Sequence, residues 1–358
     1  MTPLEERYRR VLRLLPAPYR EIWEEDMVST FLASMATDDR EEADFIADYG
    51  RPGWPEVASI VALAIRLRVG VGAPPRYAAW GEAIRLSVLA GMLVNAAAST
   101  VGLGVSLWVA GMIPLVPAPA QMPEPSGYPD LWARLFMLTA LAGLLWLPAF
   151  LALVLGHRTV ARWLAAAAAV AAVLSNAAAV LVTPQQMSGE LSYNLLIDAV
   201  LVVALFAVHR GIAPMERRFW LAGLGLASVL MTGYMLLMYR PLPPLPPLDW
   251  AGLECVVLVA LATVHFALLA RGRPGRVAAW TPALAILAFT VLGLRLVTLL
   301  DYARFGSAGW HPATVPLAIA EAVAVAATAI VLALLSSRTL RRLPATAPDA
   351  TTWSTPSL

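Results

Sequence analysis

The stretch "YNLLIDAVLVVALFAVHR", residues 193–210, has the length and apolar character of a transmembrane helix, interrupted by one carboxylate at Asp198. Apolar residues make up 59% of the 358-residue chain and charged residues only 14%. Typical soluble domains contain about 25% charged residues. Several other apolar runs also reach the roughly 18 residues that a membrane span requires. The sequence therefore predicts an all-α fold, that of a polytopic α-helical membrane protein embedded in a lipid bilayer.

The predicted membrane domain covers residues 86–336 and contains about eight transmembrane helices. We expect the spans at residues 86–112, 131–155, 163–183, 193–209, 219–239, 250–270, 277–300 and 315–336. Loops after the even-numbered spans are rich in arginine, whereas loops after the odd-numbered spans are rich in proline or acidic residues. The positive-inside rule therefore predicts a multi-pass protein of the cell (plasma) membrane, with the N-terminus and the C-terminus in the cytoplasm. Residues 71–85 are predicted to be a linker and basic juxtamembrane segment, and residues 337–358 a disordered cytoplasmic tail.

Residues 1–70 hold much of the charge and are predicted to form a small cytoplasmic bundle of four helices. Apolar residues recur in this region at helical spacing, with arginine and glutamate between them. The third helix is expected to bury Phe45, Ile46 and Tyr49 and to end at Gly50.

Two segments of this region carry a family resemblance: "LPAPYREIWEEDMVSTFLASM", residues 15–35, and "EEADFIADYGRPGWPEVASIVALAIRLR", residues 41–68. They resemble the HAAS-type signalling domain and the related permease prefix domain of bacterial membrane proteins. The matching positions are a Tyr-Arg pair and the turn into the last helix, formed by Tyr19, Arg20, Tyr49, Gly50 and Pro52. The family has no established catalytic residues, so none are carried over to this chain.

This resemblance implies a bacterial (actinobacterial-like) polytopic membrane protein of the kind encoded near PadR-type regulators. It also implies a cytoplasmic protein partner that binds through residues 1–70, either a regulator or the ATPase of an exporter. The structural alternative is an amphipathic bundle that lies on the membrane surface, because the arginines near the first span suit anionic headgroups.

Five ionisable residues are predicted to share the outer third of the bilayer, each on a different span. They are Asp198, Glu254, Arg295, Glu321 and Arg134. A charge inside a membrane costs roughly 2.5–3.5 kcal/mol on insertion scales, so its presence indicates a partner or a function. Arg295 and Glu321 are the expected pair, because their spans are consecutive and their depths match. This polar layer is a candidate site for a ligand, an ion or a proton, or else a purely structural network.

The membrane domain contains signs of an internal duplication. "DAVLVVA" at residues 198–204 parallels "EAVAVAA" at residues 321–327. Two four-span halves would follow, at about residues 86–209 and 219–336. Parallel repeats occur in transporters, with sites at the repeat interface, although segments rich in Ala, Val and Leu also align by chance.

Four further polar side chains are secondary candidates, namely His265, His311, Asn95 and Asn176. The histidine at 265 and the two asparagines lie within predicted spans, where each is a candidate for a proton or ligand path. An interhelical hydrogen bond is the commoner role of such residues. His311 lies in the outer loop before the last span and is a candidate pH-sensitive member of the polar layer.

Catalysis, metal binding and nucleic-acid binding are not predicted. The chain lacks the common catalytic motifs, and its one cysteine, Cys255, forms no Cys/His cluster with metal-ligand spacing. The formal net charge of +2 is too small to indicate nucleic-acid binding. We therefore expect no enzyme activity and no cofactor.

Three functions stay open on the sequence. The leading one is an integral membrane sensor or regulatory subunit, whose cytoplasmic helical domain binds a partner and whose polar layer receives the signal. The alternative is a secondary transporter or the permease component of an exporter. The third is a structural scaffold in which the buried charges only stabilise the packing of the helices.

Overall fold

The computed structural model describes residues 2–35, 39–69, 75–109, 111–113, 141, 143–182, 188–207, 216–238, 249–271, 279–305 and 312–342. Every regular element within these ranges is an α-helix, so the all-α prediction is confirmed. The chain divides into two compact units. Met1–Glu82 forms most of the first unit, and the second consists of Ala83–Phe206 and Ala213–Arg338.

The first unit contains four short helices: α1 (Pro3–Leu12), α2 (Ala17–Ser34), α3 (Arg40–Tyr49) and α4 (Trp54–Val69). Thr2 caps the start of α1, since its hydroxyl oxygen accepts a hydrogen bond of 3.3 Å from the Glu5 backbone nitrogen. Pro16 precedes α2, where a fixed φ suits the entry into a helix. A side-chain cap therefore marks the start of α1, whereas α2 begins after a proline without such a cap.

An apolar cluster joins α1, α2 and α4. Its buried members are Leu4, Tyr8, Leu12, Leu15, Val28, Phe31, Ile60 and Ala64. The Tyr8 ring stacks on Phe31 with 3.9 Å between the ring centroids, and the Tyr8 hydroxyl donates to Glu56 Oε1 at 3.0 Å. The cluster thus has a polar tie at its edge as well as an apolar centre.

The face that α3 turns toward this cluster differs from the prediction. Among the described side chains of α3, Ile46 packs against the cluster. Phe45 and Tyr49 were expected to be buried, but they are 64% and 69% exposed. The reason is geometric, because a helix of ten residues presents a narrow face and these two rings stack on another face, 5.2 Å apart.

The second unit is built largely from the remaining helices. They are α5 (Pro75–Val109), α6 (Trp146–Leu155), α7 (Arg158–Val182), α8 (Gly189–Ala207), α9 (Arg217–Met238), α10 (Trp250–Ala270), α11 (Trp280–Phe305) and α12 (Thr314–Arg341). The start of α5, up to Glu82, and the end of α12, from Thr339, are assigned to the first unit. All of these helices except α6 are long and apolar enough to cross a membrane, which gives seven candidate spans within the described ranges. Multi-pass insertion follows from this count.

Seven of the eight predicted spans thus correspond to long apolar helices. The remaining one, predicted at residues 131–155, lies largely outside the described residues, and its described end contains the ten-residue helix α6. Helix α6 ends at Gly156, whose φ of 97° is a left-handed conformation that favours glycine. His157 then donates its backbone N–H to the Ala152 carbonyl at 2.7 Å, which closes the turn into α7.

Two predicted boundaries are corrected by the structure. Helix α5 begins at Pro75, a residue that suits the first position of a helix, so the described residues of the predicted linker 71–85 are helical. Helix α12 continues to Arg341, so the first residues of the predicted tail 337–358 are also helical, and Leu340 is buried there. Residues 343–358 lie outside the described ranges.

Small side chains let the helices of the second unit approach one another closely. Along α6 and α7 the buried alanines are Ala149, Ala152, Ala161, Ala165 and Ala168. A second cluster joins α10, α11 and α12 through Cys255, Leu258, Ala262, Leu284, Ala285, Ala288, Val325, Ala329 and Leu332. This second cluster holds together the three helices that carry the candidate site.

Candidate functional site

One arginine is enclosed by two carboxylates in the second unit. Arg295 of α11 is 1% exposed. Its Nη1 donates to Asp249 Oδ2 at 2.5 Å, and its Nη2 donates to Glu321 Oε2 of α12. The Tyr302 hydroxyl also donates to Asp249 Oδ2. We call Asp249, Arg295, Tyr302 and Glu321 the Arg295 cluster; it contains the pair of Arg295 with Glu321 that matching depths had indicated.

The start of α10 holds Asp249 in place. Asp249 is the N-cap residue of this helix, and its Oδ1 accepts a hydrogen bond of 2.7 Å from the Gly252 backbone nitrogen. A helix N-terminus also favours a negative charge through its dipole. On the facing helix, Arg295 and Tyr302 are seven residues apart and so lie on one side of α11.

Gly252 allows the two carboxylates to meet. A β-carbon at this position would stand 2.9 Å from Asp249 Oδ1, 2.9 Å from Glu321 Oε1 and 3.0 Å from Glu321 Oε2. Such distances are shorter than ordinary van der Waals contacts, so a larger side chain would displace one or both carboxylates. The absence of a side chain at Gly252 is therefore part of the geometry of the Arg295 cluster.

Charge and hydrogen bonding are not balanced within the cluster. Two carboxylates face one guanidinium, so the cluster has a net charge of −1 when both acids are ionised. Glu321 is 9% exposed, and in the described ranges neither its Oε1 nor Arg295 Nε has a hydrogen-bond partner. Removing one member of a buried pair is costly, because it leaves an uncompensated charge in a medium that solvates it poorly.

A further carboxylate ties α8 to α11. Asp301 Oδ1 accepts from the Gly189 backbone nitrogen at 2.8 Å, and its Oδ2 accepts from the Glu190 backbone nitrogen at 2.9 Å. Asp301 therefore caps the N-terminus of α8 from another helix. Tyr193, one turn further along α8, donates its hydroxyl to the Thr290 carbonyl at 2.8 Å.

Acidic residues predominate around the cluster. Glu190 interacts electrostatically with Asp249, Asp301 and Arg295. Glu254, one turn into α10, interacts with Glu190 and with the side chain of Trp250. Glu254 belongs to the predicted polar layer, but no ion pair of Glu254 with an arginine is seen among the described residues.

Asp198 is paired with an asparagine and not with an arginine, as a charged layer would suggest. Asn95 Nδ2 of α5 donates to Asp198 Oδ1 at 2.7 Å. The structure therefore separates the predicted layer into two sites, the Arg295 cluster and the Asn95–Asp198 pair. The two positions aligned by the proposed duplication, Asp198 and Glu321, have partners of different chemistry: an amide and a guanidinium.

The secondary candidates make local contacts. His265 Nε2 lies 2.9 Å from Thr281 Oγ1, and this pair joins α10 to α11 in a buried position. Asn176 Nδ2 donates to the Ala172 carbonyl of its own helix at 2.8 Å. The remaining two predicted site residues, Arg134 and His311, lie outside the described residues.

The residues of the family resemblance lie on two elements of the first unit. Tyr19 and Arg20 are on α2, where Tyr19 packs partly buried against the apolar cluster. Tyr49, Gly50 and Pro52 form the turn between α3 and α4.

Arg7 organises that turn and was missed by the sequence reasoning. Its Nη1 donates to the Asp48 carbonyl at 2.9 Å and to the Gly50 carbonyl at 2.7 Å. An arginine on an amphipathic helix gives no local sign of which carbonyl oxygens it will reach.

Three members of the second-unit site were also missed, namely Asp249, Gly252 and Tyr302. The available signal for Asp249 was an N-cap position directly before the span that begins at Trp250. Tyr302 lies at the far end of a span, where an aromatic residue is ordinarily assigned to the membrane boundary. A glycine inside an apolar helix carries no sign of the side chains that will pack against it.

The fold and the site together define the class of protein. Seven apolar helices make the chain a multi-pass α-helical membrane protein, with an ion-paired arginine buried among three of its helices. In the part of the chain that the structure describes, no group of three or more His, Cys, Asp or Glu residues is arranged to hold a metal ion. No protein-family model, curated protein or solved structure gives a significant match to the chain.

Proposed function

We propose that the protein is an integral membrane sensor or regulatory subunit. Its N-terminal helices bind a cytoplasmic protein partner, and its membrane helices carry the Arg295 cluster as the element that responds to a signal. The observation that carries the proposal is a set of large aromatic side chains on the surface of the first unit.

These aromatic side chains are exposed where a purely structural bundle has no need of them. Phe45 and Tyr49 on α3 stack with each other, and Trp54 at the start of α4 is 85% exposed. Tyrosine and tryptophan are enriched among the residues that dominate binding energy at protein interfaces. The resemblance of residues 1–70 to a signalling domain supports the same role.

The partner is tested by affinity purification of the full-length protein from its native membranes, followed by mass spectrometry. The test variant is Phe45→Ser combined with Tyr49→Ser, and a chain lacking residues 1–70 serves as the reference for complete loss. The matched control is Ile22→Ser on α2, because Ile22 is 70% exposed and lies on another helix. We expect a specific regulator or ATPase to be lost with the double variant and retained with the control.

Two outcomes contradict this proposal. If the partner still co-purifies after residues 1–70 are deleted, the N-terminal helices do not bind it. The double variant could instead keep every co-purifying protein but lose binding to vesicles that contain anionic phospholipid. That result assigns the exposed aromatic residues to contact with the bilayer.

The proposed orientation places both termini in the cytoplasm, because the arginine-rich loops follow the even-numbered spans. Single cysteines introduced into a Cys255→Ala background test it with a membrane-impermeant thiol reagent. We expect labelling of Pro312→Cys in intact cells and labelling of Glu216→Cys only after permeabilisation; both positions are exposed. The reverse pattern contradicts the orientation.

A second candidate function is a secondary transporter or the permease component of an exporter. It is favoured by the buried Arg295 cluster, because ionisable residues inside spans commonly mark ion or substrate paths. In that case, Glu321→Gln abolishes substrate accumulation in vesicles while the protein stays folded. Removal of residues 1–70 should then leave accumulation largely intact, which distinguishes a transporter from the proposed sensor.

A further inference from the structure

We propose that the Arg295 cluster is a proton-binding site, in which Glu321 takes up one proton. This inference names the ligand of the cluster. Only the role of the cluster in responding to a signal rests on the proposed function. Proton binding itself is a property of the second unit and is tested without any partner.

The two carboxylates accept hydrogen bonds from different numbers of donors. Asp249 accepts from the Gly252 backbone nitrogen, from Arg295 and from the Tyr302 hydroxyl. Within the described part of the chain, Glu321 accepts from Arg295 alone, at Oε2. Asp249 is therefore equipped to keep its negative charge, whereas Glu321 is the carboxylate that lacks donors.

One oxygen of Glu321 lacks a donor. Its Oε1 is buried without a hydrogen-bond partner among the described residues, in a side chain that is more than nine-tenths buried. A buried acceptor without a donor is unfavourable, and a proton on this oxygen turns it into a donor. Asp249 lies close enough to interact electrostatically with Glu321, and oxygens of both carboxylates would stand 2.9 Å from a β-carbon at Gly252.

Charge balance also favours one added proton. With both acids ionised the cluster has one positive and two negative charges, and one added proton makes it neutral. A neutral cluster is favoured because Arg295 and Glu321 are buried among membrane helices. Paired carboxylates that share a confined site characteristically hold one proton between them.

Other titratable groups face the site and do not supply the missing positive charge. Those that interact electrostatically with members of the cluster are Glu190, Tyr234 and Cys255, and Glu254 interacts in turn with Glu190 and Cys255. Each is an acid or a neutral group, so none replaces the proton. Arg295 is the one cation that contacts Glu321 among the described residues.

The experiment is infrared difference spectroscopy of the purified full-length protein in detergent, recorded between alkaline and acidic pH with H⁺ as the only ligand. We expect acidification to produce C=O bands of buried carboxylic acids, and one of these bands belongs to Glu321. Glu321→Gln removes that band, and Asp249→Asn shifts it because a neighbouring negative charge is lost. The control is Glu6→Gln, an exposed residue of the first unit, which leaves the band unchanged.

The outcomes decide the proposal separately from partner binding. The proposal is overturned when Glu321→Gln loses none of the buried-acid bands, and also when the unsubstituted protein shows no buried-acid band. The latter measurement needs no variant and holds even when both substitutions prevent folding. If the Glu321 band is found but no partner co-purifies, the proton site is supported and the partner-binding function is rejected.

Discussion

Asn95 Nδ2 of α5 donates a hydrogen bond of 2.7 Å to Asp198 Oδ1 of α8, and this bond explains how a carboxylate is held inside an apolar helix. The partner is a neutral amide and not one of the arginines of the chain. A hydrogen bond between two helices lowers the cost of burying Asp198, and it also joins two spans far apart in the sequence. The main role of Asp198 is therefore to join α5 and α8 through this hydrogen bond.

We expect Asn95→Leu to destabilise the protein by about 1–3 kcal/mol, because it leaves a buried carboxylate oxygen without its donor. The matched control is Asn176→Leu, since Asn176 donates to a carbonyl of its own helix and not to another helix. Thermal unfolding in detergent measures both variants. Equal losses in the two variants would show that the bond between α5 and α8 contributes nothing specific.

Removal of Arg295 should be more damaging. Arg295→Leu leaves both Asp249 and Glu321 without their shared cation, and breaking a buried pair costs roughly 3–5 kcal/mol. The control is Arg304→Leu on the same helix, because Arg304 is exposed and lies over the Phe305 ring at 5.2 Å. We expect a cost of about 1 kcal/mol or less for this control.

Because the Arg295 cluster contains one arginine and two carboxylates, removing several of these charges together should restore part of the stability that a single substitution loses. A double substitution of Arg295 and Glu321 by apolar residues still leaves Asp249 without its cation, so we expect only partial recovery of the unfolding midpoint. Adding Asp249→Asn should recover more, because all three charges are then absent. Strictly additive losses across the three variants would contradict a coupled network.

Gly252 offers a test of the close approach between the two carboxylates. Gly252→Ala should lower the unfolding midpoint, since its β-carbon would stand 2.9 Å from oxygens of Asp249 and Glu321. The matched control is Gly225→Ala in α9, where a β-carbon meets nothing within 4 Å. Alanine in a helix interior is favoured over glycine by roughly 0.5–1 kcal/mol, so the control should be neutral or stabilising. A stabilised Gly252→Ala variant would contradict the described geometry.

We expect the ion pair between Arg9 of α1 and Glu25 of α2 to be lost at acidic pH. Arg9 donates to Glu25 through Nη1 at 2.8 Å and through Nη2 at 2.9 Å, and these hydrogen bonds hold the pKa of the Glu25 carboxyl below its usual value. A depressed folded pKa contributes stability above the unfolded value of about 4.3, and this contribution is lost as pH falls through the folded pKa. The effect should be small and salt-sensitive, because the Glu25 side chain is 79% exposed.

Hydrogen exchange of the α1 and α2 amides in the full-length protein, corrected for the intrinsic pH dependence, measures this loss. Glu25→Gln should flatten the acid response. Glu6→Gln should leave it in place, because Glu6 pairs with Arg10 inside α1 and not with α2. Identical acid profiles for the unsubstituted chain and Glu25→Gln would contradict the role of this pair.

Much of the fold follows from local properties of the sequence. The apolar runs predict seven helices that the structure contains, because hydropathy adds up along a single segment and helix hydrogen bonds close within it. Boundaries were less predictable. Helices α5 and α12 extend beyond their apolar stretches, since a helix continues into polar residues until a breaker or a lack of packing ends it.

The candidate site was only partly predictable. Matching depths on consecutive spans indicated Arg295 with Glu321, and that contact is present. The same reasoning placed Asp198 in the same layer, although its partner is Asn95. Depth can be counted along each helix, whereas the rotation of a helix about its axis and the identity of its neighbours cannot.

The sequence by itself determined that this chain forms membrane-spanning helices and where most of them lie. Only the tertiary structure decided which polar groups meet. Asp249 and Tyr302 reach Arg295, and Gly252 makes room for Glu321, because three helices pack at one particular separation and rotation. That arrangement depends on side chains distant in sequence, since in an apolar environment helix association relies on shape and on a few buried polar contacts.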